Sequence, residues 1–209
     1  MCSSDLTVVG GSNTYVEAIL NLIQDKRLEK VTSVKRFSDY VEVNGERFDY
    51  VIIATHANSA LEILKDASSD EKTYLADISY SKNRTTLHTD SSVLPTPNKA
   101  RASWNYSMAD CKQDSSQVLV SYWMNLLMRL PGETDYVVTL NGKIAEDKII
   151  AEMQYEHPVF TVKALKAAEY LREAGGDRLA FAGAHLGWGF HEDGARSGVA
   201  AARKFGANW

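Results

Sequence analysis

The sequence predicts a mixed α/β fold, α+β overall, with α/β segments at both ends of the chain and a strand-rich block between them. The first observation is "YVIIA" (residues 50–54), a continuous β-branched run typical of a parallel strand covered on both faces. The second is "LAFAG" (179–183), a short apolar run followed by a glycine-rich loop and a helical stretch. The third is a series of strand-like segments over residues 78–140. Together they indicate one α/β layer interrupted by a second domain.

The first α/β segment begins with a Gly-Gly-Ser turn and an amphipathic helix, for which Ser12 or Asn13 is the expected cap. The apolar side chains of that helix share one face: Val16, Ile19, Leu20 and Ile23. A strand and a hairpin that turns at Asn44-Gly45 follow, and they lead into "YVIIA". Residues 59–78 are predicted to be helical.

The middle block is predicted to contain strands over residues 81–90, 101–107, 117–125 and 136–142, and an extended segment over 148–160. Its large aromatic side chains favour core packing, with the lining of a substrate pocket as the alternative: Trp104, Tyr106, Tyr122 and Trp123. After the block, a helix is expected over 161–175, then the strand "LAFAG" and a last helix over 194–206.

Composition excludes several classes of protein. The 209 residues carry a net charge of −4 without a basic stripe, so nucleic acid is not an expected partner. The apolar runs are far shorter than the roughly 20 residues that span a bilayer, and no transmembrane segment is expected. Cys2 and Cys111 suit neither a disulfide scaffold nor a zinc site, so we expect no metal and a cytoplasmic location. Residues 1–6, "MCSSDL", are expected to be a scar or a disordered end.

The stretch "FAGAHLGWGFHEDGARSG" (181–198) combines glycines, aromatics and a helix start. Its glycines allow close approach of a ligand to the backbone, and the N–H groups at the start of a helix attract negative charge. This pattern suits a phosphate or the electron-rich N1–C2=O edge of a flavin. A glycine-rich connection to a tightly packed helix is the alternative. Three consecutive residues, His191, Glu192 and Asp193, point about 100° apart on a helix, so we expect partners of the helix dipole rather than metal ligands.

Several motifs together resemble the flavin amine oxidase and phytoene desaturase superfamily. "FAG" followed by "GFHEDGARSGVAAA" resembles its C-terminal FAD motif, and "VTSVKRF" with "YVEVNGERFDYVIIATHA" resembles the segment that ends "V-I-x-A-x-P". "GGSNTYVEAIL" is similar to the stretch that precedes that segment. "SWNY", "VSYWMN" and "YEHPVF" resemble, more narrowly, a bacterial branch of predicted NAD/FAD-binding oxidoreductases often encoded near cyclopropane-fatty-acid synthase.

The resemblance implies a position for each part of FAD. Val31 corresponds to the adenine contact, Ala54 and Thr55 to the adenosine and pyrophosphate, and Gly183 to the ribityl chain and phosphates. The helix start at 191–195 corresponds to the segment that faces the flavin pyrimidine edge. The complete set of implied cofactor-binding residues is Val31, Ala54, Thr55, Gly183, Ala184, His185, Gly189, His191, Glu192, Asp193, Gly194 and Ala195.

The chain also departs from the family pattern. Ala184 and His185 stand where the family has an acidic residue, so the usual carboxylate contact is missing, and His185 is expected to donate a hydrogen bond to phosphate instead. No G-x-G-x-x-G with a later acidic residue is found, although the family has that unit at its N-terminus. We therefore expect a partial FAD/NAD(P)-binding Rossmann-like domain interrupted by a strand-rich substrate domain, with the N-terminal nucleotide-binding half as the missing partner.

On this interpretation, residues 7–60 and 173–209 belong to the FAD domain and residues 61–172 to the substrate domain. The implied function is the C-terminal fragment of a flavin-dependent oxidoreductase that passes a hydride from an organic small molecule to FAD, and the resemblance to the bacterial branch suggests a fatty-acyl substrate. Phe190 and Trp188 are candidates for the substrate face, and no catalytic residue is assigned. Non-covalent FAD is expected, because Cys111 lies far from the flavin motif in sequence. The alternatives are a non-redox flavin mutase or isomerase, and a non-catalytic subunit that completes a site on a separate nucleotide-binding chain.

Overall fold

The computed structural model describes residues 7–108 and 119–208. Cys2, Cys111 and the predicted N-terminal scar lie outside these residues. The chain divides into two compact units, each built from two separate stretches of sequence. We call Met1–Arg27 with Lys82–Glu156 the strand unit, and Leu28–Ser81 with His157–Trp209 the α/β unit. The predicted mixed α/β class is confirmed, since the described residues form both helices and strands throughout.

Six helices and ten strands are present in the described residues. The helices are α1 Asn13–Leu20, α2 Ala57–Ile63, α3 Ser69–Asp77, α4 Met124–Met128, α5 Val162–Glu173 and α6 His191–Lys204. The strands are β1 Val34–Arg36, β2 Val41–Val43, β3 Glu46–Phe48, β4 Val51–Ile53, β5 Tyr80–His88, β6 Trp104–Ser107, β7 Leu119–Trp123, β8 Val137–Leu140, β9 Ile149–Pro158 and β10 Leu179–Phe181.

The central feature of the α/β unit is the parallel pair of β4 and β10, in register from Val51 with Leu179 to Ile53 with Phe181. This confirms the parallel strand predicted from "YVIIA". The prediction that both its faces are covered is wrong for the described residues, because Ile52 is 38% exposed. The three residues of β10, in contrast, are all buried.

Strands β1, β2 and β3, which precede β4 in the chain, form a separate small antiparallel sheet. The predicted hairpin turn is present, with positive φ at Asn44 (49°) and Gly45 (88°), as a two-residue turn of this kind requires. Residues 59–78 form two helices rather than one. Helix α2 ends because Leu64 is extended and forms a parallel bridge with Val34.

The core of the α/β unit lies between α2, α3, α5 and β10. Alanines of α5 face it, and Leu75, Leu171 and Leu179 are almost fully buried within it. A buried charge cluster borders this core. The Arg36 guanidinium donates to both oxygens of Glu71, at 2.6 and 2.7 Å, and to Asp66 Oδ2 at 2.8 Å. Glu71 also completes a capping box at the start of α3 by accepting from the Ser68 N–H.

The strand unit contains a five-stranded sheet with the order β6-β7-β8-β5-β9. Its register places Asn105, Ser121, Thr139 and Thr86 in one row across four strands, and all four are buried. The fully buried His88, two residues after Thr86 on β5, contacts this row through its side chain: its Nε2 lies 2.8 Å from Thr139 Oγ1, which is 2.9 Å from Ser121 Oγ. Hydrogen bonds thus offset the desolvation of these polar groups.

An apolar helix face is exposed in the strand unit, and one packing expectation for this unit is wrong in the described structure. The apolar face of α1 is not buried, since Val16, Ile19 and Leu20 are each more than a third exposed. The prediction of core packing fails for Trp104 and Tyr106, which are both 56% exposed. In each of these two places, several neighbouring apolar side chains are exposed together, rather than one isolated hydrophobic residue.

Candidate functional site

The candidate site lies at the carboxyl ends of β4 and β10. Because the two strands are parallel and in register, residues that follow them meet at one edge of the sheet, where ligands bind in open α/β folds. Ala54 and Thr55 follow β4 and are exposed. Gly183 follows β10, and a 3-10 turn at Ala184–Leu186 leads from it towards α6. The structure thus brings the predicted residues of both chain segments to the same end of the sheet.

The space left by two loop glycines is occupied by side chains of the protein itself. A Cβ on Gly183 (φ +151°) would lie 2.5 Å from Cε1 of His185, so the imidazole packs directly on that glycine. A Cβ on Gly187 would lie 2.3 Å from Oδ1 of Asp193. These glycines are therefore required for internal packing, whereas the sequence pattern had suggested access for a ligand.

Asp193 organises the loop rather than pointing away from it. Its Oδ2 accepts hydrogen bonds from the N–H groups of Trp188 (3.0 Å) and Phe190 (3.1 Å), and its Oδ1 accepts from Arg196 at 2.7 Å. Burial acts to raise the pKa of Asp193, but the hydrogen bonds from Phe190, Trp188 and Arg196 outweigh it and lower the pKa. Asp193 therefore stays ionised at neutral pH and holds the loop against the first turn of α6.

Helix α6 begins after Phe190, whose apolar side chain cannot accept a capping hydrogen bond, and Asp193 in the first turn accepts from the Phe190 N–H. Glu192 is exposed and in the first turn, where a carboxylate interacts favourably with the helix dipole. Gly194 packs near Ala184, since a Cβ added to Gly194 would lie 3.9 Å from the Ala184 Cβ. Ser197 fixes the helix to the strand end, since its Oγ accepts from the Gly183 N–H at 2.9 Å. His191 and Ala195, also predicted site residues, are exposed on this helix.

Two histidines meet at the strand ends. The ring of His56 stacks on Tyr80 with 4.4 Å between centroids, and the Tyr80 hydroxyl accepts from the Ala57 N–H at 2.9 Å. Burial, together with the neighbouring His56, lowers the pKa of His185 to about 4. His185 is therefore neutral at pH 7. It can exchange hydrogen bonds with a ligand, but it does not replace the missing carboxylate by a charge.

Aromatic side chains surround the tip of the loop. Trp188 and Phe190 are 62% and 59% exposed, and the rings of Trp188 and Phe160 are 6.0 Å apart. Gly189, with φ +88°, turns the chain beside Phe160, whose Cζ would lie 3.4 Å from a Cβ at that glycine. Phe160 was not identified from the sequence, because it lies in a different segment, just before α5.

Val31, the implied adenine contact, is half-buried against the core and lies in the segment before β1. Asn44 holds this segment from the hairpin turn. Its Oδ1 accepts from the N–H groups of Thr32 and Ser33, and its Nδ2 donates to the Lys30 carbonyl oxygen at 3.0 Å. The sequence identified Asn44 as a turn residue alone, and its side-chain contacts with a segment 12 residues earlier left no local signal.

Within residues 7–108 and 119–208, no three His, Cys, Asp or Glu side chains are grouped so that they could hold a metal ion. None of the helices in the same residues has the length and apolar character needed to cross a membrane.

The comparisons with known proteins rest on structure. No protein-family model and no curated protein sequence matches the chain. Solved structures do match. One is a CLA-producing fatty acid isomerase from P. acnes, 17% identical, with a TM-score of 0.58 over 92% of this chain and 52% of its own. Another is cyclohexylamine oxidase from Brevibacterium oxydans IH-35A, 14% identical, with a TM-score of 0.56 over 84% of this chain and 48% of its own.

A third match is a double mutant of putrescine oxidase made to redesign cofactor binding. It is 12% identical, with a TM-score of 0.63 over 95% of this chain and 54% of its own. These likenesses show a shared mixed α/β fold with two enzymes named as oxidases and one named as a fatty acid isomerase. The chain spans about half the length of the solved structures that it matches.

Proposed function

We propose that this chain is the C-terminal part of an FAD-dependent, amine-oxidase-like oxidoreductase. One observation carries the proposal: the carboxyl ends of the parallel strands β4 and β10 meet beside a glycine-rich loop and the start of α6. This is the arrangement in which a fold of this class binds an anionic or electron-rich ligand. The FAD-related motifs in the sequence and the fold shared with two oxidases support the same conclusion.

The residues present fit a non-covalent flavin at this edge. The positive end of the α6 dipole would face the pyrimidine edge, which becomes negative on reduction. Neutral His185 would exchange a hydrogen bond with the phosphates or the ribityl chain, and Ala54 and Thr55 would line the adenosine side. The chemistry supplied by bound flavin is acceptance of a hydride, or its equivalent, from carbon at N5. The exposed rings of Trp188 and Phe190 would orient an apolar substrate and exclude water.

A second candidate function is isomerisation of a fatty-acyl substrate by the same flavin site. The observation in its favour is that one of the solved structures with this fold is named a fatty acid isomerase. Net oxidation separates the two candidates, because an isomerase needs no external electron acceptor. We propose a cytoplasmic location for either enzyme, with a small-molecule substrate and a nucleotide-binding half supplied by chain outside these 209 residues.

Equilibrium binding of FAD to the purified chain tests the proposal. Quenching of flavin fluorescence is titrated for the wild type and for Ala195→Glu, which places a carboxylate at the exposed start of α6. The matched control is Ala207→Glu, an equally small and exposed site after that helix. We expect Ala195→Glu to weaken binding at least tenfold, or about 1.4 kcal/mol, and the control to leave it unchanged. Equal FAD affinity of the two variants would refute the proposal.

A further inference from the structure

Asn44 and Gly45, at the turn between β2 and β3, form one of two Asn-Gly pairs in the sequence, and Asn141-Gly142 is the other. Asparagine is a thermolabile residue, because its side-chain amide can be lost to attack by the backbone nitrogen of the next residue. A glycine at that next position favours the attack, since it has no side chain to hinder it. The surroundings of each pair determine which of the two reacts.

The glycine of the first pair is open to water, whereas that of the second is enclosed. Asn44 and Gly45 are both exposed, and a Cβ added to Gly45 would meet no atom within 4 Å. No described residue accepts a hydrogen bond from the Gly45 N–H. Gly142 is buried, and a Cβ there would lie 2.5 Å from Thr139 Cγ2. Because the attacking nitrogen must lose its proton to solvent and then move, Asn44 has the freer path.

The Asn44 side chain also holds the part of the chain that precedes β1. Its Oδ1 accepts from the Thr32 N–H at 2.9 Å and from the Ser33 N–H at 3.2 Å. Its Nδ2 donates to Glu29 Oε1 and to the Lys30 carbonyl oxygen, both at 3.0 Å. These partners fix the orientation of the amide, since exchanging its oxygen and nitrogen would lose all four bonds.

We propose that Asn44 is a site of spontaneous deamidation, and that the reaction releases residues 29–33, which we call the tethered segment. The Gly45 nitrogen bonds to Asn44 Cγ, the bond from Cγ to Nδ2 breaks, and Nδ2 leaves as ammonia with the proton that Gly45 has lost. Water then opens the cyclic imide at one of its two carbonyl carbons. The product is an aspartate, or an isoaspartate in which the main chain runs through the former side chain. Either product gains one negative charge, and no electrons are transferred.

Both products lose contacts that hold the tethered segment. A carboxylate has no donor, so the aspartate product would set an oxygen against the Lys30 carbonyl oxygen and the Glu29 carboxylate. The isoaspartate product adds a carbon atom to the main chain of a turn whose length sets the pairing of β2 with β3. The tethered segment has no helix or strand of its own, and within it Val31 packs partly on the core. Local opening of the segment should therefore become more frequent.

The same contacts slow the reaction in the folded chain. Because four hydrogen bonds fix the Asn44 amide, the Gly45 nitrogen attacks it in molecules whose tethered segment has opened. Removing one of these bonds should therefore speed deamidation. This inference rests on the contacts of the hairpin turn and is independent of flavin binding.

Ageing of the purified chain in mildly alkaline buffer tests the proposal. Peptide mass spectrometry measures the conversion of amide to acid at Asn44 and at Asn141, which serves as the internal control. Glu29→Ala removes one acceptor of the Asn44 amide, and Glu62→Ala, which removes an exposed carboxylate of α2, is the matched control. We expect Asn44 to convert about tenfold faster than Asn141, and Glu29→Ala to speed conversion at Asn44 alone.

A second measurement follows the tethered segment itself. Anion exchange separates the aged molecules that have gained a charge, and the unmodified fraction of the same sample is the control. We expect hydrogen exchange of the Thr32 and Ser33 amides to be about tenfold faster in the modified fraction. Equal conversion at Asn44 and Asn141, no conversion at Asn44, or equal rates in the two glutamate variants would overturn the proposal. So would unchanged exchange of the two amides after conversion.

Discussion

Replacing Glu71 by glutamine tests the charge cluster that joins β1 to the start of α3. The change removes the negative charge that neutralises Arg36 but keeps the size of the side chain and an oxygen that can accept from the Ser68 N–H. Glu71 is only 4% exposed at its side chain and Arg36 is 20% exposed, so water does not replace the lost partner. Removing one member of a buried ion pair costs about 3–5 kcal/mol.

The lower end of that range applies here, because Asp66 Oδ2 remains 2.8 Å from Arg36 Nε and supplies part of the compensating charge. We therefore expect Glu71→Gln to lower the free energy of unfolding by about 3 kcal/mol. Glu71→Ala should cost about 1 kcal/mol more, since it also removes the helix cap. Urea unfolding followed by circular dichroism measures both differences, with the exposed Glu169→Gln of α5 as the matched control.

The sign of the pH dependence provides a second readout. Burial acts to raise the pKa of Glu71, but the hydrogen bonds from Arg36 and Ser68 and the charge of Arg36 outweigh it, and the pKa is lowered. The resulting stability is present above the ordinary carboxyl pKa of about 4.5 and is lost as the pH falls through the lower folded value. The difference in free energy of unfolding between the wild type and Glu71→Gln should therefore shrink as the pH is lowered into the acid range. A difference below about 0.5 kcal/mol at pH 7 would refute the reasoning.

Three further predictions concern the loop and the buried histidine. Gly187→Ala should destabilise the protein by about 1–3 kcal/mol, because the added Cβ would clash with Asp193 Oδ1. Gly198 faces open space within α6, so Gly198→Ala should raise the free energy of unfolding by up to about 1 kcal/mol. Thermal melts compare the two, and equal effects would contradict this. Asp193→Asn should lower the free energy of unfolding by about 1–3 kcal/mol and speed hydrogen exchange of the Trp188 amide. An unchanged exchange rate at Trp188 would contradict this prediction. Burial lowers the pKa of His88, despite the opposing charge of Asp90, and that of His185, so urea midpoints should fall as the pH drops below about 6.5. A flat profile would contradict the role of burial at both histidines.

The order of helices and strands was predictable because local patterns determine it. Asn44-Gly45 adopts the positive φ angles of a hairpin turn, and "YVIIA" forms a parallel strand. The break between α2 and α3 was not predictable, because it depends on the bridge between Leu64 and Val34, which are distant in sequence. The exposure of Ile52 likewise depends on what covers β4, which no local pattern contains.

The candidate site was predictable in outline but not in its internal contacts. The glycine-rich stretch after β10 was identified, together with the helix that follows it. The sequence could not show that Gly183 and Gly187 accommodate His185 and Asp193, because both contacts depend on how the loop folds back. The same limit applies to Phe160, which reaches the loop from the segment before α5.

The pairing of β4 with β10 has a consequence for synthesis on the ribosome. Ile53 leaves the ribosome roughly 130 residues before its partner Phe181, so the edge of β4 that pairs with β10 stays unpaired while the intervening chain is synthesised. During that interval an apolar strand edge is available for wrong pairing, which is a common origin of aggregation in nascent chains. Slower translation or a loss of holdase chaperones should therefore lower the yield of this protein more than its final stability would suggest.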